Sequence, residues 1–272
     1  MKVYVLGCTG MLGRYVYRYL KGTGKYKVIG TTRKYLDAEK ASYFAMESVG
    51  MVRGDVVINC IGQIKQHADV PEARYLALNT LFPISMAKIC KDIGAHFIHV
   101  TTDCVFKGNG GNYTETATHD AEDIYGISKS MGEPRNCTVI RTSIIGEELK
   151  GKASLLEWVK SNAGKTINGF TNHRWNGITC LQFAKICEQI IDKEQYWIGV
   201  RHVTSPTAVN KYELSGMISS TFDLGITIKE FETPDPCDRT MESHYVPIFD
   251  VPELPVQLQE LKDFGNILRL RG

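Results

Sequence analysis

The chain of 272 residues is long enough for one large domain or two interleaved ones, and it needs no disulfide to stabilise its fold. Its formal net charge of +2 and its 23% of charged residues argue against a basic surface for nucleic acid or for a membrane. The eight cysteines show no C-x-x-C spacing, no apolar run reaches the roughly 20 residues of a membrane span, and no signal-peptide pattern opens the sequence. We therefore expect a cytoplasmic protein without a metal site, whose partners are small molecules and other copies of itself, with a homodimer as one possible assembly.

The first 142 residues alternate between strand and helix patterns. Short apolar runs predict strands at 2–6, 26–32, 55–61, 96–102 and 137–142. Apolar residues at helical spacing predict helices through Leu12, Val16 and Leu20, over 72–93, and from Tyr125 to Gly132. The segment 33–54 shows one helix and no clear strand, so the position of a third strand stays open. This alternation predicts an α/β fold, a Rossmann-type doubly wound parallel sheet that forms a nucleotide-binding domain over residues 1–142.

Residues 143–272 have a different character and predict a smaller, interleaved C-terminal substrate-binding region. Helices are expected at 154–159 and 181–191, and the aromatic and polar stretch 169–177 between them is expected to be a loop that covers the substrate. A strand at 199–203 and a helix at 211–222 are expected to return to the Rossmann sheet. The proline-rich segment from Phe231 is expected to be extended until a helix near 258–268 closes the chain.

Three glycines stand between the first strand and the first helix. Gly7, Gly10 and Gly13 permit a tight turn, a close approach of a pyrophosphate, and close packing of helix against sheet. The helix N-terminus then offers free N–H groups and a positive dipole end to the anion. Three glycines alone also fit a purely structural turn. Their position directly after a buried strand favours a dinucleotide site, with further contacts from Thr9, Met11 and Leu12.

The end of the second predicted strand bears on the choice of dinucleotide. Arg33 lies where a site for NAD would place a carboxylate, and a guanidinium fork there suits the 2′-phosphate of NADPH. Arg33 and Lys34 could equally be ordinary solvated charges, and Asp37 is near enough in sequence to keep NADH open as the less favoured cofactor.

A second group of residues suits reduction of a carbonyl. Hydride addition to a ketone puts negative charge on its oxygen, so the site needs a proton donor and hydrogen bonds there. Tyr125 can donate the proton, and Lys129 projects from the same helix face one turn later, where an ammonium would lower the pKa of the phenol. Thr102, at the end of a predicted strand, can donate to the carbonyl oxygen. A Y-x-x-x-K pattern alone usually marks a surface helix, but here it follows the glycine turn and the strand ends in the expected order.

These motifs resemble the extended short-chain dehydrogenase/reductase superfamily, and within it dTDP-4-dehydrorhamnose reductase and related nucleotide-sugar 4-ketoreductases. The resemblance covers residues 1–146 closely and the remainder loosely. It is carried by Gly7-Cys-Thr-Gly-Met-Leu-Gly13, Asn79-Thr-Leu-Phe-Pro83, His99-Val-Thr-Thr-Asp-Cys-Val-Phe-Lys-Gly108, Tyr113-x-Glu115, Tyr125-Gly-Ile-Ser-Lys129 and Arg141-Thr-Ser143.

The resemblance implies that NADPH reduces the C4 ketone of a nucleotide-linked 4-keto-6-deoxyhexose, in the biosynthesis of a rhamnose-like or N-acetylated deoxysugar. The implied catalytic residues are Thr102, Tyr125 and Lys129. Further cofactor contacts are expected at Cys60, Ile61, Gly62 and Asn79. Substrate contacts are expected at Thr102, Asp103, Cys104, His173, Trp175, Asn176 and Arg239. Arg239 could bind the substrate diphosphate or form a surface salt bridge, and Thr240 follows it where the family usually has proline.

Cys104 departs from the reductase pattern, which usually has tyrosine at this position. A thiol can move a proton next to a ketone when its neighbours help it to ionise. The similar GDP-fucose synthase and plant rhamnose synthase groups carry cysteine at the matching place, where it serves epimerisation. The resemblance thus implies epimerisation at C3, or at C3 and C5, before reduction, with His173, Lys65 or His67 as the second acid. An inert Cys104 and a structural His173 are the alternatives.

Three other functions stay open at this point. The same scaffold serves as a non-catalytic NADP-binding regulatory subunit of a methionine adenosyltransferase, although the intact Thr102, Tyr125 and Lys129 argue against that role. A pure 4-ketoreductase would not exchange ring protons with solvent. An epimerase or dehydratase that recycles its nicotinamide would hold NAD tightly, and a dehydratase would need an acidic pair where this chain has Asp103 and Cys104.

Overall fold

The computed structural model describes residues 1–40, 50–65, 70–148 and 154–270. For residues 268–270 it describes the backbone only. Its strands are β1 (Lys2–Leu6), β2 (Lys27–Thr31), β3 (Val56–Asn59), β4 (His96–Thr101), β5 (Thr138–Arg141), β6 (Ile144–Ile145), β7 (Thr166–Phe170), β8 (His173–Trp175), β9 (Ile178–Thr179), β10 (Gly199–His202), β11 (Val209–Asn210), β12 (Thr227–Phe231) and β13 (Cys237–Asp238). Its α-helices are α1 (Met11–Thr23), α2 (Glu72–Tyr75), α3 (Phe82–Ile93), α4 (Ile124–Met131), α5 (Leu155–Lys160), α6 (Cys180–Asp192), α7 (Lys211–Thr221) and α8 (Leu254–Leu270).

A six-stranded parallel sheet lies at the centre of the fold, with the strand order β10-β5-β4-β3-β1-β2. This confirms the predicted doubly wound α/β class. The order reverses between β1 and β3, which is the topological switch point where such sheets bind ligands. Within the described residues no strand extends the sheet beyond β2. One helix was predicted within 33–54, and residues 41–49 of that segment lie outside the described residues.

Both faces of the central sheet are buried, which explains the nearly continuous apolar runs of its strands. Along β1, Val3 and Val5 face one hydrophobic cluster and Tyr4 and Leu6 face the other. The first cluster includes side chains of α1 and α6, and the second includes those of α3. This burial on both faces fixes the positions of the strand ends, and it therefore also fixes where the loops after them begin.

A π-helical turn interrupts the long helix predicted at 72–93. It spans Leu76–Leu81, between α2 and α3, and the whole stretch ends at Gly94 in the left-handed conformation. π-turns are rare and occur often at functional sites because they redirect a side chain. Here the turn contains Asn79, one of the residues expected at the cofactor site.

The smaller region consists of short sheets, with the orders β11-β8-β13, β12-β7 and β6-β9. The C-terminal half of the chain is interleaved with the Rossmann domain as expected, because its strand β10 joins the central sheet and pairs in parallel with β5. The prediction of a loop over 169–177 was wrong. This stretch contains the end of β7 and all of β8, which pair with strands from residues 209–238 that are distant in sequence.

Two of the helices in the smaller region, α6 and α7, have different neighbours. α7 packs against β7, β12 and α8 rather than on the central sheet, so the expectation that it returns to the Rossmann sheet was wrong. α6 packs against α1 and closes that face of the sheet instead. All eight cysteines are free thiols, and no helix among the described residues is both long and apolar enough for a bilayer.

Candidate active site

Three parallel strands and one helix bring the expected site residues to one edge of the central sheet. Gly7 follows β1, Cys60 follows β3, Thr102 follows β4, and α4 carries Tyr125 and Lys129 across the same edge. The carboxyl edge of an open α/β sheet is the usual place for a ligand.

The glycine turn is shaped by contacts that exclude larger residues. Gly7 has φ +75°, and a Cβ there would lie 2.9 Å from Cγ1 of Ile61. A Cβ on Gly13 would overlap the carbonyl oxygen of Gly7, because α1 lies directly against the turn. The backbone N–H of Gly10 donates to the same carbonyl at 3.0 Å. Close packing of the turn, the helix and the next strand end therefore explains these glycines.

The N-terminus of α1 is open toward this turn. Its N-cap is Gly10, and no side chain caps the first N–H groups. Those groups, on Met11, Leu12 and Gly13, suit an anion. The side chain of Leu12 belongs to the hydrophobic core, so this residue can offer only its backbone, whereas Thr9 is exposed.

The segment Cys60–Gly62 is held in place by Asn79. The Asn79 Oδ1 accepts from the N–H of Gln63 at 2.8 Å, and its Nδ2 donates to the carbonyl of Gln63 and to Oγ of Ser128. Asn79 is 1% exposed. Its side chain thus joins the loop after β3 to α4, and it acts on the site by positioning that loop.

Arg33 is exposed and paired with acidic side chains in the structure. Its Nη2 lies 2.8 Å from Glu39 and its Nε lies 3.7 Å from Asp37. Arg74, at the end of the helix before the π-turn, lies 3.3 Å from the same Glu39. The carboxylate of Glu39 therefore holds two guanidinium groups at the edge of the sheet where a dinucleotide's adenosine end would lie.

The side chains of Tyr125 and Thr102 meet at this edge of the sheet, and Lys129 lies one helical turn after Tyr125 on α4. The Thr102 hydroxyl donates to Asp103 Oδ1 at 3.0 Å, accepts from the N–H of Cys104, and interacts with the phenol of Tyr125. Lys129 is buried, and its Nζ donates to the carbonyl of Val100 at 2.9 Å. The structure thus places the phenol beside the hydroxyl, and it holds the amine of Lys129 on the backbone of β4.

The expectation that Lys129 lowers the pKa of Tyr125 was wrong for this structure. Burial raises the pKa of the phenol, and the hydrogen bond with Thr102 opposes this shift only in part. Burial also lowers the pKa of Lys129 to about 8, and its hydrogen bond goes to the backbone rather than to the phenol. The phenol therefore keeps its proton at neutral pH, which is the state required of a donor.

Cys104 lies beside these groups and faces Arg239. The Arg239 Nη1 is 4.0 Å from Sγ of Cys104, while its Nε and Nη2 donate to the carbonyls of Phe106 and Lys107. Arg239 forms no salt bridge with any described residue, so the surface ion pair considered from the sequence is absent there. Burial raises the pKa of the Cys104 thiol to about 12, Asp103 adds to this shift, and Arg239 opposes it.

The three residues expected from the stretch 169–177 have different surroundings. Asn176 uses both ends of its amide on the backbone of Met241, at 2.8 and 3.1 Å, and thereby positions the segment that carries Arg239. The Nε2 of His173 contacts Thr233 and the carbonyl of Asp235. The groups that act most strongly on Cys104 include Arg239 and Lys65 but not His173. His67, the third candidate acid, lies outside the described residues.

Trp175 contacts Lys211, a residue that was not predicted from the sequence to lie near the site. The Nζ of Lys211 lies over the indole ring of Trp175, 5.1 Å from its centroid. Burial lowers the pKa of the Lys211 amine, whereas Asp103 and Cys104 oppose this shift. A signal was present, because a lysine directly after the helix cap Asn210 lies at the positive end of the helix dipole, where a cation is disfavoured.

The protein-family sequence model that describes the RmlD substrate binding domain matches residues 1–245 of this chain. The chain belongs to the RmlD substrate binding domain family. It is 35% identical over 152 residues to the spore coat polysaccharide biosynthesis protein SpsK of Bacillus subtilis, a match that spans 52% of each chain, so only about half of that relative's length is covered.

Longer matches of lower identity to other proteins also occur. The chain is 26% identical to a dTDP-4-keto-6-deoxy-D-glucose reductase of Streptomyces niveus, over 78% of this chain and 76% of that protein. It is 28% identical to the methionine adenosyltransferase 2 subunit beta of Danio rerio, over 82% and 74%. The structure of a dTDP-4-dehydrorhamnose reductase from Bacillus anthracis in complex with NADP superposes with a TM-score of 0.82, with 18% identity, over 97% of this chain and 98% of that one. At that identity the superposition demonstrates the shared fold.

In this family member a buried polar network holds the segment that carries Arg239. Arg141 is 1% exposed and donates to Glu133, to Nε2 of His202 at 2.8 Å and to Nε2 of His119 at 2.7 Å. Since a guanidinium only donates, both imidazoles are neutral and carry their proton on Nδ1. The Nδ1 of His202 donates to the carbonyl of Glu242.

Glu115 completes this connection. Its carboxylate accepts from the N–H of His202, the hydroxyl of Ser243 and the N–H of His244. Burial alone would raise the pKa of Glu115, but these hydrogen bonds lower it. The network thus joins β10 and the loop at 113–115 to residues 242–244, only a few positions beyond Arg239.

The network predicts a loss of stability in mild acid. Burial and then Arg141 lower the pKa of His202 from 6.5 to about 4, so the unfolded chain binds the proton more readily than the folded one. Stability is therefore complete above pH 6.5 and is lost as pH falls toward 4, by up to about 3 kcal/mol from this residue. Denaturant unfolding between pH 4 and 7 measures this, and His202→Gln should flatten the slope. If His244→Gln, which removes an exposed imidazole, flattens it equally, the assignment to His202 is wrong.

Proposed function

We propose that this chain is an NADPH-dependent reductase of the C4 ketone of a nucleotide-linked 4-keto-6-deoxyhexose. The observation that supports this proposal is the contact between the Tyr125 phenol and the Thr102 hydroxyl at the carboxyl edge of the sheet, with the buried Lys129 held nearby on the carbonyl of Val100. The reductase of Streptomyces niveus and the NADP-bound reductase of Bacillus anthracis support it as similar proteins. Nucleotide sugars are then its substrates, and deoxysugar biosynthesis is its setting.

The residues present fit a dinucleotide. The Gly7–Gly13 turn and the open helix N-terminus suit the pyrophosphate, and the Cys60–Gly62 segment, fixed by Asn79, borders the path from there to Tyr125. When bound, the reduced nicotinamide supplies a hydride to C4. Direct contacts from Thr9, Met11 and Ile61 remain part of this proposal.

The chain's own residues handle the proton and the charge on oxygen. Tyr125, whose raised pKa keeps the phenol protonated, donates its proton to the C4 oxygen as the carbonyl is reduced. The Thr102 hydroxyl lies beside the phenol and can donate to the same oxygen instead of to Asp103. Lys129 is anchored on the carbonyl of Val100, so its amine stays next to the site throughout.

Arg33 provides a test of the cofactor. Arg33→Asp should raise the KM for NADPH by roughly 10-fold to 100-fold more than the KM for NADH, because a charge-assisted contact to the 2′-phosphate is worth about 1.5–3 kcal/mol. Steady-state kinetics with both cofactors measures this ratio. Arg33→Lys keeps the charge but loses the guanidinium fork and should give an intermediate ratio. Equal changes in both KM values would exclude a contact with the 2′-phosphate.

The finer part of the proposal is epimerisation before reduction, at C3 or at C3 and C5. Cys104 lies beside the proposed proton donor and within 4.0 Å of Arg239. A thiol at this place can exchange a proton with a carbon next to the ketone. A pure 4-ketoreductase is the alternative, in which Cys104 only fills space.

Incubation of candidate 4-keto nucleotide sugars with NADPH in deuterated water, followed by NMR of the product, tests both parts at once. We expect hydride at C4 and deuterium at C3. Cys104→Ser should still reduce C4 but should lower label uptake by about 100-fold or more. Label uptake that matches wild type would contradict the role of Cys104. No consumption of NADPH with dTDP-, UDP- or GDP-linked ketones would contradict the reductase proposal itself.

A non-catalytic NADP-binding subunit is the rival of a different class, and the similarity to the methionine adenosyltransferase subunit favours it. Such a subunit would bind NADP without turning over any 4-keto sugar. The half-buried phenol and the buried amine of Lys129 are costly to maintain in a binding subunit, which favours the enzyme.

A homodimer is also proposed. Large apolar side chains are exposed on two adjacent segments. The first segment is the π-turn together with α3, which exposes Leu81 and Ile84, and the second is α4, which exposes Ile127 and Met131. Covering them against a second copy would remove apolar area from water. Light scattering that gives the mass of a monomer at micromolar concentration would exclude this assembly.

A further inference from the structure

One carboxylate oxygen holds the side chains of two arginines that come from different parts of the Rossmann domain. The Oε1 of Glu39 lies 2.8 Å from Nη2 of Arg33 and 3.3 Å from Nη2 of Arg74. Arg33 lies in the loop after β2, and Arg74 lies in α2, which follows β3. An ion pair near the surface contributes little to stability. Stability alone therefore does not explain why two guanidiniums meet at one atom.

The two arginines approach from the two sides of β1. This strand lies between β2 and β3 in the sheet. The N–H of Cys8, in the glycine turn, donates to the carbonyl of Thr31 at 3.2 Å, and the N–H of Cys60 donates to the carbonyl of Leu6 at 3.1 Å. Arg33 follows Thr31 by only two residues. In a Rossmann-type site the ribose next to the pyrophosphate meets the residues that follow the second strand. The adenosine ribose of a dinucleotide would therefore lie beside the two guanidiniums.

Buried neighbours fix the backbone of both arginines. Leu36 is buried in the cluster that includes side chains of α3, and it anchors the loop that carries Arg33. Tyr75, which follows Arg74, is buried, and its hydroxyl donates to the carbonyl of Ile64 at 3.3 Å. The Nε of Arg74 is also buried, and no described residue accepts a hydrogen bond from it. Glu39 thus satisfies only part of a guanidinium whose position is already fixed.

A phosphate monoester suits the two guanidiniums better than this carboxylate does. Glu39 uses a single oxygen for both contacts, whereas a phosphate offers three acceptor oxygens and a charge of about −1.5 to −2 at neutral pH. A guanidinium fork can also donate two parallel hydrogen bonds to a phosphate. The ribose carries a 2′-hydroxyl in NADH and a 2′-phosphate in NADPH. Only NADPH can therefore use both arginines.

We propose that Arg33 and Arg74 together bind the 2′-phosphate of NADPH, and that Glu39 holds the two guanidiniums until the phosphate displaces it. This deepens the proposed use of NADPH and rests on it. Arg74 is then a second residue that determines cofactor specificity, and Glu39 is an anion within the protein that competes with the phosphate. The competition lowers the affinity for NADPH and not that for NADH, so Glu39 limits the preference between the two cofactors.

Fluorescence titration with NADPH and NADH tests this without turnover, and inhibition constants for adenosine 2′,5′-bisphosphate and AMP isolate the effect of the phosphate. Arg74→Ala should weaken NADPH and the bisphosphate by about 10-fold or more, and NADH and AMP by less than about twofold, because a charge-assisted contact is lost. Glu39→Gln removes the competing charge and should tighten NADPH by about threefold relative to NADH. Arg135→Ala is the matched control, because Arg135 is exposed in the loop before β5, at the opposite edge of the sheet. It should bind both cofactors like wild type.

The outcomes separate this inference from the proposed activity. If Arg74→Ala weakens NADPH and NADH equally, Arg74 only holds α2 in place and the site formed by two arginines is excluded. If Glu39→Gln weakens NADPH, Glu39 orients the guanidiniums and its displacement by the phosphate is excluded. If the wild-type protein binds NADPH no better than NADH, the proposed cofactor preference fails, and this inference fails with it. If NADPH binds as expected but no 4-keto sugar is reduced, the reductase proposal fails while this inference stands.

Discussion

Tyr125→Phe should lower kcat/KM for NADPH-dependent reduction of a 4-keto nucleotide sugar by about 10³-fold, within the 10²-fold to 10⁴-fold range of general acid catalysis. The substitution removes one hydroxyl from a half-buried ring whose phenol meets Thr102. In its place Thr102 could supply a proton only by giving up its donation to Asp103 at 3.0 Å. The loss should appear in kcat rather than in KM, because the proton moves only in the transition state.

The control for this prediction is another phenol that is distant from the cleft. Tyr19 lies on α1 and donates to Glu188 of α6 at 2.6 Å. Tyr19→Phe removes the same atom and should stay within about twofold of wild type in kcat/KM. Quenching of protein fluorescence by NADPH should be alike in Tyr125→Phe and wild type, which separates loss of chemistry from loss of binding. Activity of Tyr125→Phe within tenfold of wild type would reject Tyr125 as the proton donor.

The central sheet was predictable because its strands are buried on both faces. Each of the five strands expected before residue 142 appears within one or two residues of its expected position, since uninterrupted β-branched and apolar runs leave little choice. The smaller region was less predictable. β8 has only three residues and pairs with Val209–Asn210 and Cys237–Asp238, so nothing local in its sequence distinguishes it from a loop.

The site was predictable where one short motif carries the chemistry. The glycine turn and the pair Tyr125 and Lys129 are each contained in a few consecutive residues, and the structure brings them to one sheet edge. Lys211 was missed because its contact with the ring of Trp175 joins positions that are distant in the sequence. Asn176, expected at the substrate, holds the backbone of Met241 instead, a contact that depends on the same distant pairing.

The direction of the pKa shift at Tyr125 could not be predicted from spacing. An amine one helical turn away lowers the pKa of a phenol only if it points at the phenol and if burial costs little. In the structure Lys129 donates to Val100, and burial raises the pKa of Tyr125. Sequence spacing gives the neighbours of a group, whereas desolvation depends on everything packed around it.

Gly13→Ala should weaken both the fold and the binding of dinucleotide. A Cβ at this position overlaps the carbonyl oxygen of Gly7, which is backbone and cannot move like a flexible side chain. Either α1 shifts away from the turn or the turn opens, and overpacking of this kind costs about 1–3 kcal/mol of unfolding free energy. The same displacement moves the helix N-terminus that would face the pyrophosphate. We expect NADPH affinity to fall by at least about 10-fold, measured by fluorescence titration, together with a lower midpoint in thermal unfolding.

Gly22→Ala is the matched control, because it makes the same chemical change in the same helix. A Cβ on Gly22 meets nothing within 4 Å, and its backbone is helical, so alanine there removes only the conformational freedom of glycine. It should stabilise the protein by about 0.5–1 kcal/mol and leave NADPH affinity as in wild type. The opposite signs of the two substitutions distinguish close packing at the turn from any general effect of alanine in α1. If Gly13→Ala bound NADPH as tightly as Gly22→Ala, the turn could not be the place where the pyrophosphate meets the helix.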